Sequence, residues 1–249
     1  MRRGHLVLLH GWGLGRSVWQ PARAALENSA NVHSLDLPGY GAPPDGGQDF
    51  VAAALALAAS LPEHAVLCAW SLGGLLAMQA ALLAPERIGR LILVGSSACF
   101  VQRDDWQAAQ PPALLDEFSA AVEQNAHTAL QRFVALMNQG DTQARRIGRE
   151  INRDLPALPR PSLAVLQKGL DWLREIDLRA QVAGIRCPTL LIHGAHDPLM
   201  PLPAARWLAG QIAQCALDVF PAAAHAPFLN DPQRFARRVD EFLHASHSD

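Results

Sequence analysis

Short apolar runs of strand length alternate with stretches of helical periodicity, and this alternation constrains the fold of the 249-residue chain more than any other feature. Leu6–Leu9, Val32–Leu35, Ala65–Trp70 and Leu91–Val94 read as strands, with Gln20–Glu27, Phe50–Leu61 and Gly73–Leu83 as helices between them. Strands alternating with helices imply a parallel sheet covered on both faces. From Asp104 to Ala183 the chain reads as helical, punctuated by Pro111-Pro112, Gly140-Asp141 and Pro156–Pro161. The strand–helix pattern then resumes with Thr189–His193, Pro201–Ile212, Ala216–Phe220 and Asp231–His244. The expected organisation is an α/β core of residues 1–103 and 184–249, with residues 104–183 inserted as a helical lid. That length suits one large domain with a smaller insertion.

Half of the residues are hydrophobic, so a sizeable core is available, and the net charge of -2 argues against a general nucleic-acid binder. Cys68, Cys99, Cys187 and Cys215 are widely spaced and form no C-x-x-C pair, so free thiols are expected rather than disulfides or a zinc site. The chain opens Met-Arg-Arg-Gly-His and enters a strand, without an apolar leader, and no stretch approaches the length of a membrane span. A cytoplasmic protein is the default expectation, with neither membrane nor nucleic-acid partners.

Four segments carry chemistry. In Ala65-Val-Leu-Cys-Ala-Trp-Ser71-Leu-Gly73-Gly74 a strand runs through small-x-Ser-x-Gly straight into a helix, the context of a nucleophile elbow. Ala69 stands where glycine is usual. The bland alternative is a serine capping a helix. In Leu8-Leu9-His10-Gly11-Trp12-Gly13-Leu14-Gly15 a glycine-rich loop follows the first strand. Such a loop can aim backbone N–H groups at a developing oxyanion, and the expected donors are Trp12 and Leu72. It matches neither the phosphate-loop nor the dinucleotide-binding glycine spacing. Asp197 follows a strand and a glycine turn in Leu191-Ile-His-Gly-Ala-His-Asp197, where an acid could orient a base or merely form a turn. His225 in Phe220-Pro-Ala-Ala-Ala-His225 follows the last strand, from which a general base could reach the serine. His10 reads as structural, His193 and His196 lie too near Asp197 in sequence to be its first-choice partner, and His244 and His247 sit in the tail. The order Ser71, Asp197, His225, each after a strand, is the hydrolase order of one fold.

At these segments the sequence resembles the α/β-hydrolase superfamily and, more narrowly, the pimeloyl-(acyl-carrier protein) methyl ester esterases of biotin synthesis. The likeness lies in Leu6-Val-Leu-Leu-His-Gly-Trp-Gly, Trp70-Ser-Leu-Gly-Gly and Ala223-Ala-His-Ala-Pro-Phe; the elbow and histidine segments are superfamily-level, and the tryptophan positions carry the narrower resemblance. In the helical block it continues through Arg132-Phe-Val-Ala-Leu136 and Gly140–Arg149. The resemblance implies a monomeric serine carboxylesterase that needs no metal or organic cofactor and acts on an ester carried by an acyl-carrier protein. Another ester or a C–C bond as substrate remains open, as does a non-catalytic ligand-binding module. Only five residues precede the first strand, fewer than the family carries, so an edge strand is expected to be missing.

The resemblance also implies that Phe133, Val134, Ala135, Leu136 and Met137 line an acyl channel beside Trp12, Ser71, Leu72 and His225. Core packing is the even alternative, because Ala126, Ala129, Leu130, Phe133, Val134 and Met137 share one helical face. It further implies that Arg132, Arg145 and Arg149 face the carrier. Arg145, Arg149 and Arg153 recur on one helix face, and an ordinary solvated face is the alternative. Residues 126–160 hold six arginines and three acids, a local charge of 6 − 3 = +3 in a chain of -2.

Overall fold

The computed structural model describes residues 4–41, 49–154 and 161–245. Six strands form one parallel sheet: β1 (His5–Leu9), β2 (Asn31–Leu35), β3 (Ala65–Trp70), β4 (Ile88–Val94), β5 (Thr189–Gly194) and β6 (Cys215–Phe220). Their order is β2-β1-β3-β4-β5-β6, so β2 and β6 are the edges. All six expected strands are present, and β3, buried at every position, lies near the centre.

Parallel crossovers are right-handed, so a connection running from β1 out to β2 lies on the opposite face from those running back through β3 and β4. α1 (Gln20–Leu26) therefore covers one face, where it packs on α9 (Pro232–His244). α2 (Phe50–Ser60) and α3 (Leu72–Leu83) pack together on the other. Strand order reverses between β1 and β3, whose ends are in register at Leu9 and Ala69. A crevice opens outside the carboxyl ends of the strands at such a reversal. The glycine loop after β1 and the serine after β3 both start there.

Three helices separate β4 from β5: α4 (Pro112–Met137), α5 (Ala144–Asp154) and α6 (Leu163–Glu175). The expectation that helical segments begin at Asp104 needs correction. Residues before Pro112 form isolated bridges, Val101 with Gln110 and Arg103 with Trp106, and helix begins only at Pro112. A proline can open a helix because its missing N–H would have no partner there. α4 is also broken at Asn125, whose backbone is extended and whose side-chain oxygen accepts the Thr128 N–H at 3.0 Å, capping the second segment. After α6 the chain leaves helix at Ile176 and bridges Asp177 back to Cys99. Residues 156–160 of the proline-rich turn, Arg160 among them, and His247 lie outside the described residues.

α7 (Leu202–Gln211) and the short α8 (Pro227–Asn230) complete the element order. All four cysteines are free, Cys68 and Cys99 being buried. Among the described residues no helix is long and apolar enough to cross a membrane.

Candidate active site

Ser71 sits between β3 and α3 with φ 56° and ψ −121°, a backbone conformation that costs a non-glycine residue on the order of 1–3 kcal/mol. The surroundings enforce it. Its N–H donates to the Val94 carbonyl at 3.0 Å, and its own carbonyl accepts from Gly74 and Leu75 at 2.8 and 3.1 Å. Its side chain makes no helix-capping hydrogen bond, which removes the bland reading of this serine. Gly73 is needed for a different reason: a Cβ there would collide with the His10 carbonyl, so only glycine lets α3 approach the loop after β1.

That loop is held from both sides. His10 is buried, with Nδ1 2.7 Å from the Gly11 carbonyl and Nε2 accepting the Leu37 N–H at 3.0 Å, the structural role expected for it. The Tyr40 hydroxyl accepts the Gly13 N–H at 2.7 Å, and burial pushes that phenol well above its ordinary pKa. The Trp12 indole donates to the Leu166 carbonyl in α6 at 2.9 Å and meets Phe133 edge-on at 5.0 Å. Among the described residues no hydrogen bond engages the backbone N–H of Trp12 or of Leu72.

Asp197 and His225 come together from the loops after β5 and β6. Asp197 Oδ1 accepts the N–H groups of Leu199 and Met200, both at 2.9 Å, and Oδ2 lies 2.8 Å from His225 Nδ1. In the neutral ring Nδ1 then carries the proton and Nε2 is an acceptor. Nε2 is buried and has no hydrogen-bond partner among the described residues. The ring also packs against Trp70, 5.3 Å between centroids, and the Trp70 indole donates to the His225 carbonyl at 2.9 Å. The histidine loop is thereby tied to the residue preceding Ser71.

The first partner of Asp197 is His225, as expected, but His193 also stands close: its buried Nε2 lies 3.6 Å from Asp197 Oδ2 and 2.7 Å from the Met200 carbonyl. The end of β5 and the turn after it, three residues between the two side chains, fold the pair together. Burial would raise the Asp197 carboxyl, but the His225 ring, with help from His193 and the Met200 N–H, outweighs it and holds the acid below the ordinary range. Burial holds the His193 ring below the ordinary imidazole range, against the pull of Asp197 and the Met200 carbonyl.

Both shifts mean that the unfolded chain binds these protons more readily than the folded one. Stability should therefore fall on acidification, first below about pH 6.5 as His193 of the unfolded chain protonates, then below about pH 4 through Asp197. Urea midpoints measured from about pH 7.5 to 5 should decline, and less so in His193→Gln, which keeps a donor for Met200. Equal slopes in the two proteins would contradict a neutral buried His193.

Ser71 opens into an apolar pocket walled by Trp12, Phe100, Phe118, Phe133, Leu170 and Leu199. Of the run Phe133 to Met137, only Phe133 lines this pocket. Val134 and Met137 are buried, Leu136 is half-buried and Ala135 is exposed. At 100° per residue, a run of five on a helix cannot all face one cavity. Arg132, Arg145 and Arg149 are exposed, and among the described residues none forms an ion pair. Arg153, by contrast, is bound to Asp154 at 2.8 Å, and Arg146 to Glu150 at 3.0 Å.

Known proteins share this architecture. The chain is 41% identical over 248 residues to a pimeloyl-(acyl-carrier protein) methyl ester esterase of Aromatoleum aromaticum, covering 98% of this chain and 99% of that protein. It is 41% identical over 245 residues to one from Pectobacterium carotovorum, covering 96% and 94%. Among solved structures, an esterase from Exiguobacterium antarcticum superposes with TM-score 0.86 at 22% identity over 98% of this chain and 93% of that one, a likeness of fold. The family model described as "Alpha/beta hydrolase family" matches residues 6–238. A match of that extent, on a sheet that reverses where the strained serine sits, shows that the chain belongs to the alpha/beta hydrolase family.

Proposed function

We propose that this chain is a serine carboxylesterase that hydrolyses the methyl ester of pimeloyl-(acyl-carrier protein), releasing methanol, the step that the resemblance assigns to biotin synthesis. One observation carries the reaction class: a buried His225 Nε2 without a partner among the described residues, backed by Asp197 and tied through Trp70 to the strained Ser71. The substrate is taken from relatives of that name that match almost from end to end.

Ser71 Oγ attacks the ester carbonyl and its proton passes to His225 Nε2. The N–H groups of Trp12 and Leu72, which have no other partner among the described residues, hold the oxyanion. The tetrahedral intermediate collapses, breaking the bond to methoxide, which leaves as methanol with the proton from Nε2. Water then attacks the acyl-serine while His225 takes its proton. Collapse of the second intermediate releases the acid and returns the proton to Ser71. Asp197 fixes the ring tautomer throughout and stabilises the imidazolium as it forms. The apolar lining beside Ser71 suits a methylene chain, each buried CH₂ contributing about 0.8 kcal/mol, but it encloses little more room than a water needs, so the walls from α4 and α6 must part to admit a pimeloyl group. Comparing kcat/KM for methyl pimeloyl-carrier protein with that for free short-chain esters tests the reading. A preference for the free esters would assign the site another substrate.

Residues 104–183 are read as the lid of this site and the remainder as its core, because α4 and α6 supply Phe118, Phe133 and Leu170 to the pocket wall. Arg132, Arg145 and Arg149 are read as the docking surface for the acidic carrier. Neutralising an exposed arginine leaves folding nearly unchanged but slows encounter with an acidic partner, an effect that salt screens. Arg145→Ala/Arg149→Ala should lower kcat/KM for the carrier-linked ester at low ionic strength and spare a p-nitrophenyl ester. Equal loss on both substrates would point to damage to the lid. No loss on either would return these arginines to an ordinary solvated face.

A further inference from the structure

The histidine loop has little of its own with which to hold its shape. Between β6 and His225 it reads Pro221-Ala222-Ala223-Ala224, and three methyl side chains offer no polar anchor. Its backbone groups must be held by partners from elsewhere. Several of those partners come from one short stretch of the helical insertion, residues 137–142.

The Met137 carbonyl accepts the His225 N–H at 3.2 Å. Asp141 Oδ2 accepts the Ala224 N–H at 2.9 Å. The Thr142 N–H donates to the Ala222 carbonyl at 3.1 Å. Asn230, just beyond the loop, donates to Asp141 Oδ1 at 2.7 Å and to the Ala222 carbonyl at 3.2 Å. Two consecutive buried N–H groups, at 224 and 225, thus end on the insertion rather than on the core sheet. Asp141 is itself buried, and among the described residues no ion pair engages it. Its Oδ1 also takes the Gln143 N–H at 2.7 Å, so three donors converge on its two oxygens. A carboxyl with that environment acts purely as an acceptor and clamp.

We propose that Asp141 is a positioning residue for His225, and that Met137–Thr142 is the clamp by which the helical insertion sets where the imidazole stands. Asp141 touches neither the substrate nor the reacting atoms. It acts through the Ala224 amide on the ring that follows. The proposal rests on His225 being the general base of the esterase reading. A consequence is that movement of the insertion over the pocket must occur without releasing residues 137–142, because releasing them would also free the base.

Asp141→Asn preserves shape but leaves one acceptor oxygen. The Oδ1 position serves two donors, Gln143 and Asn230, and the oxygen stays with them. The new NH₂ group then faces the Ala224 N–H, and that anchor is lost. Displacements of about 1 Å around a reacting group can cost up to about 10²-fold in rate, so a partial slackening should cost about tenfold. The expected result is a kcat for p-nitrophenyl ester hydrolysis lower by about tenfold, with KM unchanged and slower labelling of Ser71 by a fluorophosphonate. Amide hydrogens of residues 222–228 should exchange faster, while those of β3 and β5 do not. A kcat equal to that of the unaltered protein, or a lower melting temperature with kcat unchanged, would overturn the proposal.

The unaltered protein supplies a second test, which holds whatever the variant does. Its Ala224 and His225 amides must be protected from exchange as the central strands are, and unprotected amides there would overturn the clamp. Ester turnover and Ser71 labelling of the unaltered protein are measured alongside. Absence of both would sink the esterase reading, whereas their presence with an unaffected variant would sink only the role of Asp141.

Discussion

Ser71→Ala is expected to fold normally and to lose ester turnover by on the order of 10⁴–10⁶-fold, since removing the nucleophile of such a triad leaves only binding and oxyanion stabilisation. The fold should survive because everything that holds this turn is backbone: the N–H to Val94, and the carbonyl to Gly74 and Leu75. Alanine meets the same strained φ of 56° that serine does, so the variant inherits the strain without adding to it. Ser71→Gly separates chemistry from strain. It should be as inactive as the alanine variant yet more stable than it by about 1 kcal/mol, the relief of an unfavourable φ less the entropic cost of glycine. Near-normal hydrolysis by purified Ser71→Ala would mean that the nucleophile lies elsewhere. A glycine variant no more stable than the alanine one would mean that the turn is not strained in solution.

What was legible in the sequence is whatever repeats or sits at a junction. Six runs of strand length became six strands; the four inner ones read as near-continuous apolar runs because a strand covered on both faces has no polar side to interrupt it, while the edge strands β2 and β6 carry polar, partly exposed residues. The serine was legible because a strand leading through small residues directly into a helix is an uncommon sequence event, and Ala69 in place of glycine did not alter the turn. The buried stripe of α4 from Ala129 to Met137 was legible by its period. The buried place of His193 beside Asp197 was not, since its sequence position shows only that it is no first-choice partner of the acid, and the contact depends on how the turn after β5 folds. Nor was that of Asp141, which meets Ala224 across 83 positions and belongs to no pattern. The bridged segment before Pro112 is not legible either, because bridges between irregular stretches leave no periodic trace. The exposure of Ala135 shows the limit of reading a contiguous run as the wall of a channel: a helix turns each successive residue away from the last.

Asp197→Asn should be soluble and slower by about 10⁴-fold, and the reason is visible in how the carboxylate is already committed. Oδ1 is held by two backbone donors, Leu199 and Met200, each at 2.9 Å. An amide at this position keeps its oxygen there, because turning it would set an NH₂ group against two N–H groups. The NH₂ group then faces His225 Nδ1, which must become the acceptor. Its proton moves to Nε2, the one atom that has to be free to receive the hydrogen of Ser71. The ring stays in place and is in the wrong tautomer, so kcat should collapse while the labelling of Ser71 by a fluorophosphonate slows in step with it. Other acids cannot take over. Asp36 accepts the Arg16 N–H at 2.9 Å and lies beside His10, and Asp171 is exposed on α6. An unchanged kcat in purified Asp197→Asn would refute this assignment, because no other carboxylate among the described residues touches the His225 ring.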